Sequence, residues 1–301
     1  MQRPAKPFTP VRFRLQPPNI MKVAIIGYGF VGKALEAGFT NDVIIKKIDP
    51  KLKTSVSDLH DFFPDFIFIC VPTPMSSDLS QDISILESVL LEVKRLSLKS
   101  NIVLKSTVLP EHIKKIEDIT ERFVYNPEFL REDHALEDFI SSKLIVFGGS
   151  KKLSKLLEDF YKNFTKCVCT DYIYTDAISA SLIKYSINSF LATKVTFFNE
   201  LNSLFSKSGT KESWKKFIEA ISRDTRIGAS HMQVPGPDGR FGFGGSCLPK
   251  DSQAFLIYAN NIGIDMNILK TTISTNNKIR ELYNSPTKRE IEQNIQFKGD
   301  T

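Results

Sequence analysis

Cysteine is scarce in this chain, with four in 301 residues: Cys70, Cys167, Cys169 and Cys247. Their spacing fits neither a zinc site nor the disulfide framework of a small secreted domain, so no metal is expected and a reducing, cytoplasmic setting fits best. Long apolar runs are also lacking. The strand-like run Phe66 to Val71 falls far short of the roughly 20 residues that a membrane-spanning helix needs, so no membrane segment is expected. The first 20 residues are rich in proline and arginine and lack the apolar core of a secretory signal. They read as a disordered tail, and Met21 offers an alternative start just ahead of the first strand. That tail carries Arg3, Lys6, Arg12 and Arg14 and no acid, which accounts for most of the formal net charge of +6. The remainder is nearly balanced, and no basic patch interleaved with aromatics occurs in it, so a nucleic-acid partner is not expected.

What is present is enough for one large α/β domain and a smaller one: 301 residues, 42% of them hydrophobic. From Lys22 to about Tyr172, short β-branched runs alternate with amphipathic stretches, the mark of a parallel sheet flanked by helices. Candidate strands are Val23 to Ile26, Val43 to Ile48, Phe66 to Val71, Ile102 to Lys105, Phe123 to Tyr125 and Leu144 to Phe147. The first five run into a glycine turn, Asp49, Pro72-Thr73-Pro74, Ser106-Thr107 and Asn126-Pro127-Glu128 in turn. Ligands of open parallel sheets bind beyond the carboxyl ends of the strands, so these segments should line one crevice.

From about Thr175 to Ser208 neither proline nor glycine interrupts an apolar pattern at helical spacing, which predicts one long helix. Further helices are expected over Lys211 to Arg223, Leu248 to Asn261 and Met266 to Tyr283, and the Pro- and Gly-rich HMQVPGPDGR between them is a loop. The fold class is therefore α/β: a tail (1–20), a Rossmann-type parallel-sheet domain (21–172), and an all-helical, dimerising domain (173–283) entered by the long connecting helix. A polar tail (284–301) follows.

Two motifs carry chemistry. In KVAIIGYGFVG a strand enters a glycine turn, where Gly27, Gly29 and Gly32 permit the turn, the approach of a pyrophosphate and close helix packing. Asp49 lies 22 residues after Gly27 at a strand end. It would bind ribose hydroxyls and repel a 2′-phosphate, favouring NAD over NADP, an inference that Lys51 and Lys53 soften. In GFGGSCLPKD, Cys247 stands between a glycine turn and a helix start. The helix dipole and Lys250 predict a stabilised thiolate, with Asp251 within reach as a base. Lys184 and Asn188 share a face of the long helix, where an ammonium and an amide could hold an oxyanion. Each residue also has a plainer reading: Lys184 as a solvent-facing lysine, Glu128 as a helix cap, Cys247 as a core cysteine.

GYGFVG, CVPTP, KSTVLP, NPEFLRE, the Lys184–Asn188 helix followed by FFNE, and GFGGSCLPKD occur in the order seen in the UDP-glucose 6-dehydrogenases. The chain resembles that family over about Met21 to Tyr283. The wider group oxidises nucleotide sugars, including GDP-mannose and UDP-N-acetylmannosamine. The resemblance implies oxidation of a sugar C6 alcohol to a carboxylate with two NAD⁺ in succession, through a Cys247 thiohemiacetal and thioester. Lys184 and Asn188 would stabilise the oxyanions, and Asp251 would hold water or share proton transfer with Lys184. Glu128 and Thr107 would position water for thioester hydrolysis. The cofactor would lie against Gly27, Gly29, Phe30, Val31, Gly32, Asp49, Val71, Pro72, Thr73 and Thr107, with Glu132 and Lys250 nearby. The sugar nucleotide would meet Phe129, Leu130, Arg131, Phe241 and Gly244, and Arg226 would reach it from the second subunit of a homodimer.

Members of the family usually continue into a further nucleotide-binding-like domain that grips the uridine diphosphate, whereas only 50 residues follow Asp251 here. That domain is expected to be missing. Its contacts would have to come from Ser230 to Phe243, from Phe129 to Glu132 or from the partner subunit. UDP-glucose is the expected substrate. The alternatives are another nucleotide sugar, a two-electron dehydrogenase with no need of the cysteine, or an inactive NAD-binding partner of a longer chain.

Overall fold

The computed structural model describes residues 20–283 and 285–297; the tail expected over 1–20 lies outside these apart from Ile20. Seven strands form one sheet: β1 (Met21–Ile26), β2 (Val43–Ile48), β3 (Phe66–Ile69), β4 (Asn101–Leu104), β5 (Phe123–Tyr125), β6 (Ile145–Gly149) and β7 (Tyr172–Thr175). Their spatial order is β2-β1-β3-β4-β5-β6-β7. The first five are parallel, as are β6 and β7 to each other, but β6 runs antiparallel to β5. Helices α1 (Phe30–Gly38), α2 (Ser84–Arg95), α3 (Pro110–Ile119), α4 (Ala135–Ile140) and α5 (Lys151–Phe164) flank the sheet.

The strands bury both faces, which is why they read as unbroken apolar runs. Ala24 and Ile26 point into one core with Ile67, Ile69 and Leu104, while Val23 and Ile25 point into the other with Phe68, Phe147 and Phe160. The sheet is mostly parallel as expected, and β6 is the one reversal in it. Between β5 and β6 there is only the six-residue α4 and a 3₁₀ turn, and pairing is limited to Val124 with Gly149 and Tyr125 with Gly148. Beyond that pair the ladder continues through a side chain: Asn126 Nδ2 donates to the Val146 carbonyl at 3.0 Å. The boundary drawn after Tyr172 falls at the first residue of β7, an edge strand with exposed Ile173 and Tyr174.

The long helix is α6 (Ala177–Lys207), capped by Asp176, whose carboxylate accepts from Ser179 N at 2.8 Å. Its 31 residues span about 46 Å. Gly148 lets it lie on the sheet, since a Cβ there would stand 2.6 Å from the Ala180 Cβ. Its middle packs against α8 (Leu248–Asn261) and α9 (Asn267–Arg280) through Tyr185, Phe255, Leu269 and Ile273. The helix α7 (Trp214–Ser222) closes a smaller cluster around Phe198, Met232 and Val234.

Residues 284–301, expected as a polar tail, contain a folded element. A short helix, α10 (Lys288–Glu292), starts with a capping box of Thr287 and Glu290, and Ile295 is buried behind it. The polar composition hid this because the anchor is ionic: the fully buried Glu290 accepts from Arg280 at 2.6 Å.

Candidate active site

The carboxyl ends of β1 to β5 bring the chemically distinctive loops to one edge of the sheet. Gly27 turns with φ +89°, and a Cβ there would come within 2.7 Å of the Cys70 backbone. A Cβ on Gly32 would stand 2.5 Å from the Gly27 carbonyl, so this glycine permits the close packing of α1 on the turn. Gly29 differs: nothing lies within 4 Å of where its Cβ would be. It is the N-cap of α1 with no side-chain cap, so the amides of Phe30, Val31 and Gly32 face an open cradle. That arrangement fits a pyrophosphate. Asp49 ends β2 beside it and accepts from Tyr28 N at 2.7 Å and Lys51 N at 2.8 Å.

Next along the crevice, the β3 and β4 loops are tied together. Thr73 Oγ1 donates to the Thr107 carbonyl at 2.8 Å. Gln81 Nε2 donates to the same carbonyl at 2.9 Å and to Tyr185 Oη at 2.8 Å, while its Oε1 accepts from Leu109 N at 2.9 Å. Gln81 and Tyr185 thus fix Val71, Pro72, Thr73 and Thr107 relative to α6. Neither stood out in the sequence, because a glutamine in a polar loop carries no local sign that it is buried.

A second cluster, of titratable and polar side chains, forms where the turn after β5 meets α6 and α8. Asn126 is held by Lys105 Nζ at 3.1 Å and Tyr161 Oη at 2.7 Å, fixing the start of the Asn-Pro-Glu turn. Glu128 follows, accepting from Leu130 N at 2.6 Å through one carboxylate oxygen and facing Lys184 Nζ at 3.2 Å through the other. Lys184 Nζ also donates to the Glu128 carbonyl at 2.6 Å and lies over the Phe129 ring. Neither a solvent-facing lysine nor a helix-capping glutamate survives this geometry: both residues are buried, and α4 is capped at His134. One turn further along α6, Asn188 Nδ2 donates to Asp251 Oδ2 at 2.6 Å, and Lys250 Nζ donates to Asp251 Oδ1 at 2.5 Å. The half-buried Cys247 stands at the N-cap position of α8 without a side-chain capping bond, its Sγ 3.4 Å from Ser246 Oγ.

The thiolate expectation is corrected here. Burial pushes the Cys247 thiol above its ordinary 9.0, and the Glu128 and Asp251 carboxylates push it the same way. Lys184 and the Ser246 hydroxyl oppose them without prevailing. Lys250, expected to supply positive potential, is held on Asp251 instead. Burial also pushes the Lys184 ammonium down, but Glu128, Asp251 and Cys247 outweigh it and leave it above its usual value. The site thus holds a neutral thiol beside a firmly charged ammonium. Site-resolved alkylation of the ligand-free protein by iodoacetamide is expected to rise with pH and reach half-maximum above 9.0 at Cys247. A midpoint below neutrality would contradict this electrostatic account. Burial also raises the Cys70 thiol, to about 12.

Other anticipated residues lie apart from this cluster. Glu132 pairs with Arg289 of α10, and Arg131 makes a bidentate pair with Asp138 at 3.0 and 2.7 Å. Phe241 is exposed, and its amide donates to Tyr283 Oη at 2.8 Å. Gly244 faces the Arg280 guanidinium and Glu290 carboxylate, which fill the space a side chain would need. Arg226 is 88% exposed and paired with Asp224 at 2.6 Å.

A glycine cradle at one end of a strand-edge crevice, with a Cys–Asn–Asp–Lys–Glu cluster at the other, suits a dinucleotide-dependent oxidoreductase. Residues 44–165 match the NAD binding domain of the UDP-glucose/GDP-mannose dehydrogenase family, and residues 178–278 match its central domain. The UDP-glucose 6-dehydrogenase of Campylobacter jejuni is 32% identical over 87% of this chain and 73% of its own length. That of Rickettsia bellii is 37% identical over 70% of this chain and 48% of its own length. A UDP-glucose dehydrogenase from the hyperthermophilic archaeon Pyrobaculum islandicum superposes with a TM-score of 0.70 at 26% identity, over 90% of this chain and 70% of that one. The chain belongs to the UDP-glucose/GDP-mannose dehydrogenase family, and its dinucleotide is NAD. It spans about half the length of several curated relatives it matches. Among the described residues no helix is long and apolar enough to cross a membrane.

Proposed function

We propose that the protein oxidises the C6 alcohol of UDP-glucose to the carboxylate of UDP-glucuronate, passing through a covalent adduct on Cys247. The observation that carries this is the convergence of the half-buried Cys247 with the buried Lys184, Asn188, Asp251 and Glu128 from three separate elements. A two-electron dehydrogenase has no use for the thiol, and a decayed partner protein has no reason to keep all five together. When bound in the Gly27–Gly32 cradle, NAD⁺ supplies the hydride acceptor for each of two successive oxidations. The protein's own residues do the rest.

The Cys247 sulfur attacks the C6 aldehyde, and because the thiol is protonated at neutral pH its proton must leave in the same step. Asp251, one helical turn along α8 and already hydrogen-bonded to Asn188, takes it. The oxyanion of the thiohemiacetal is stabilised by the Lys184 ammonium and the Asn188 amide. After the second oxidation, water attacks the thioester. Glu128, with Thr107 across the crevice, orients that water and removes its proton, and the Cys247 sulfur leaves as it recovers from Asp251 the proton it gave up.

The substrate is expected to complete its site at a homodimer. The exposed Phe190, Phe197 and Leu204 recur at seven-residue spacing along α6, an apolar seam suited to a second copy. Arg226, held outward, would enter the neighbouring site. Mass spectrometry of the product formed from UDP-glucose and NAD⁺ is expected to give the uronic acid. Acid formed only from UDP-N-acetylmannosamine or GDP-mannose would overturn the choice of sugar.

A further inference from the structure

The turn that delivers Cys247 cannot hold its own shape. Gly242-Phe243-Gly244-Gly245 has one side chain in four residues, and Gly242 and Gly245 have φ of +75° and +79°. Its conformation is imposed by side chains brought from elsewhere. Gly242 N donates to Asn199 Oδ1 at 2.9 Å. Phe243 is held at both backbone groups by Asn276, at 2.6 and 3.0 Å. Gly244 lies flat against Arg280 and Glu290, and Gly245 N stands 3.4 Å from Glu290 Oε1. The last two residues before Ser246-Cys247 are thus supported by the buried pair Arg280–Glu290.

That pair has further connections. Arg280 reaches Asp238 at 2.8 Å, fixing the loop that leads into the turn. Glu290 belongs to α10, whose neighbours join the opposite rim of the crevice. Arg289 pairs with Glu132 below the Glu128 turn. Asn294 Nδ2 donates to the Met75 carbonyl at 3.2 Å, and Met75 N donates to the Gln293 carbonyl at 3.3 Å, at the end of the Val71–Thr73 loop. One short segment therefore touches all three walls: the cysteine turn, the Glu128 segment and the cofactor loop.

We propose that Arg280 and Glu290 are positioning residues for Cys247, and that α10 is a clasp setting the height of the cysteine turn above the cofactor and Glu128 walls. The role for kcat rests on the dehydrogenase reading; the role in placing the thiol does not. The pair acts through the backbone, by filling the space beside Gly244, and touches no reacting atom.

The test uses the full chain carrying Glu290→Ala, Glu290→Gln, or the paired Arg280→Met/Glu290→Leu. The last removes both charges while nearly keeping side-chain volume, and the Asp238 carboxylate it leaves unpaired is partly exposed to water, so that it is expected to fold even if the single alanine variant does not. Two readouts are taken on each folded variant: the pH profile of Cys247 alkylation and kcat with UDP-glucose. In Glu290→Ala and in the paired variant, the alkylation midpoint is expected to move toward that of a solvated thiol, and kcat to fall by about tenfold to a hundredfold. Glu290→Gln, which keeps the acceptor beside Gly245, is expected to stay near wild type. A folded paired variant with unchanged alkylation and kcat would overturn the proposal, as would a glutamine variant as impaired as the alanine one. If wild-type protein forms no acid, the dehydrogenase reading fails, and the alkylation profile alone still decides the clasp.

Discussion

Cys247→Ser leaves the protein folded and lowers acid formation by on the order of 10⁴-fold. Serine is nearly isosteric, and the neighbour bonded to the thiol is the Ser246 hydroxyl, which a second hydroxyl can satisfy. The melting temperature should therefore barely move. The chemistry should fail because an alcohol is a far weaker nucleophile than a thiol, and because Asp251 would have to accept a proton from a group several units less acidic. Rates are read from NADH absorbance and product chromatography. Unchanged turnover in the serine variant would place the reaction among simple two-electron oxidations and remove the covalent step from the mechanism.

Lys184→Met is expected to be almost as severe and to act in two ways. The oxyanion loses its positive partner, a loss of about 10²- to 10³-fold in kcat by analogy with other oxyanion-stabilising groups. Glu128 loses the ammonium 3.2 Å away while its carboxylate stays buried. An uncompensated buried charge costs about 3–5 kcal/mol, so chemical denaturation should show a clear loss of stability. The sign of the effect on the thiol also follows. Lys184 is the neighbouring cation that lowers the Cys247 pKa, so its removal should drive the alkylation midpoint of Cys247 higher still. A midpoint that falls in Lys184→Met would show that the lysine does not face the thiol electrostatically.

Much of this fold is written locally. The helix over Leu248–Asn261 matches its sequence expectation at both ends because Pro249 favours the first turn and the apolar pattern stops where the asparagines begin. The continuous apolar strands and the glycine turn are equally local signals. Strand direction is not, and the antiparallel β6 depends on how short the path around α4 is. The charge state of Cys247 was misread for a related reason. The helix dipole and Lys250 are near in sequence, but burial is the main influence on the thiol, and Glu128 from the turn after β5 and Lys184 from α6 reach it only in the folded chain. The Arg280–Glu290 pair was hidden too, since a polar run such as Lys288 to Glu292 looks solvated until an arginine from α9 is placed beside it.

The central claim is a four-electron oxidation through Cys247, and the ratio of NADH formed to sugar consumed tests it most directly. With purified protein, excess NAD⁺ and limiting UDP-glucose, two NADH per UDP-glucose are expected, with UDP-glucuronate as the product. One NADH per sugar, with the aldehyde released, would contradict the account.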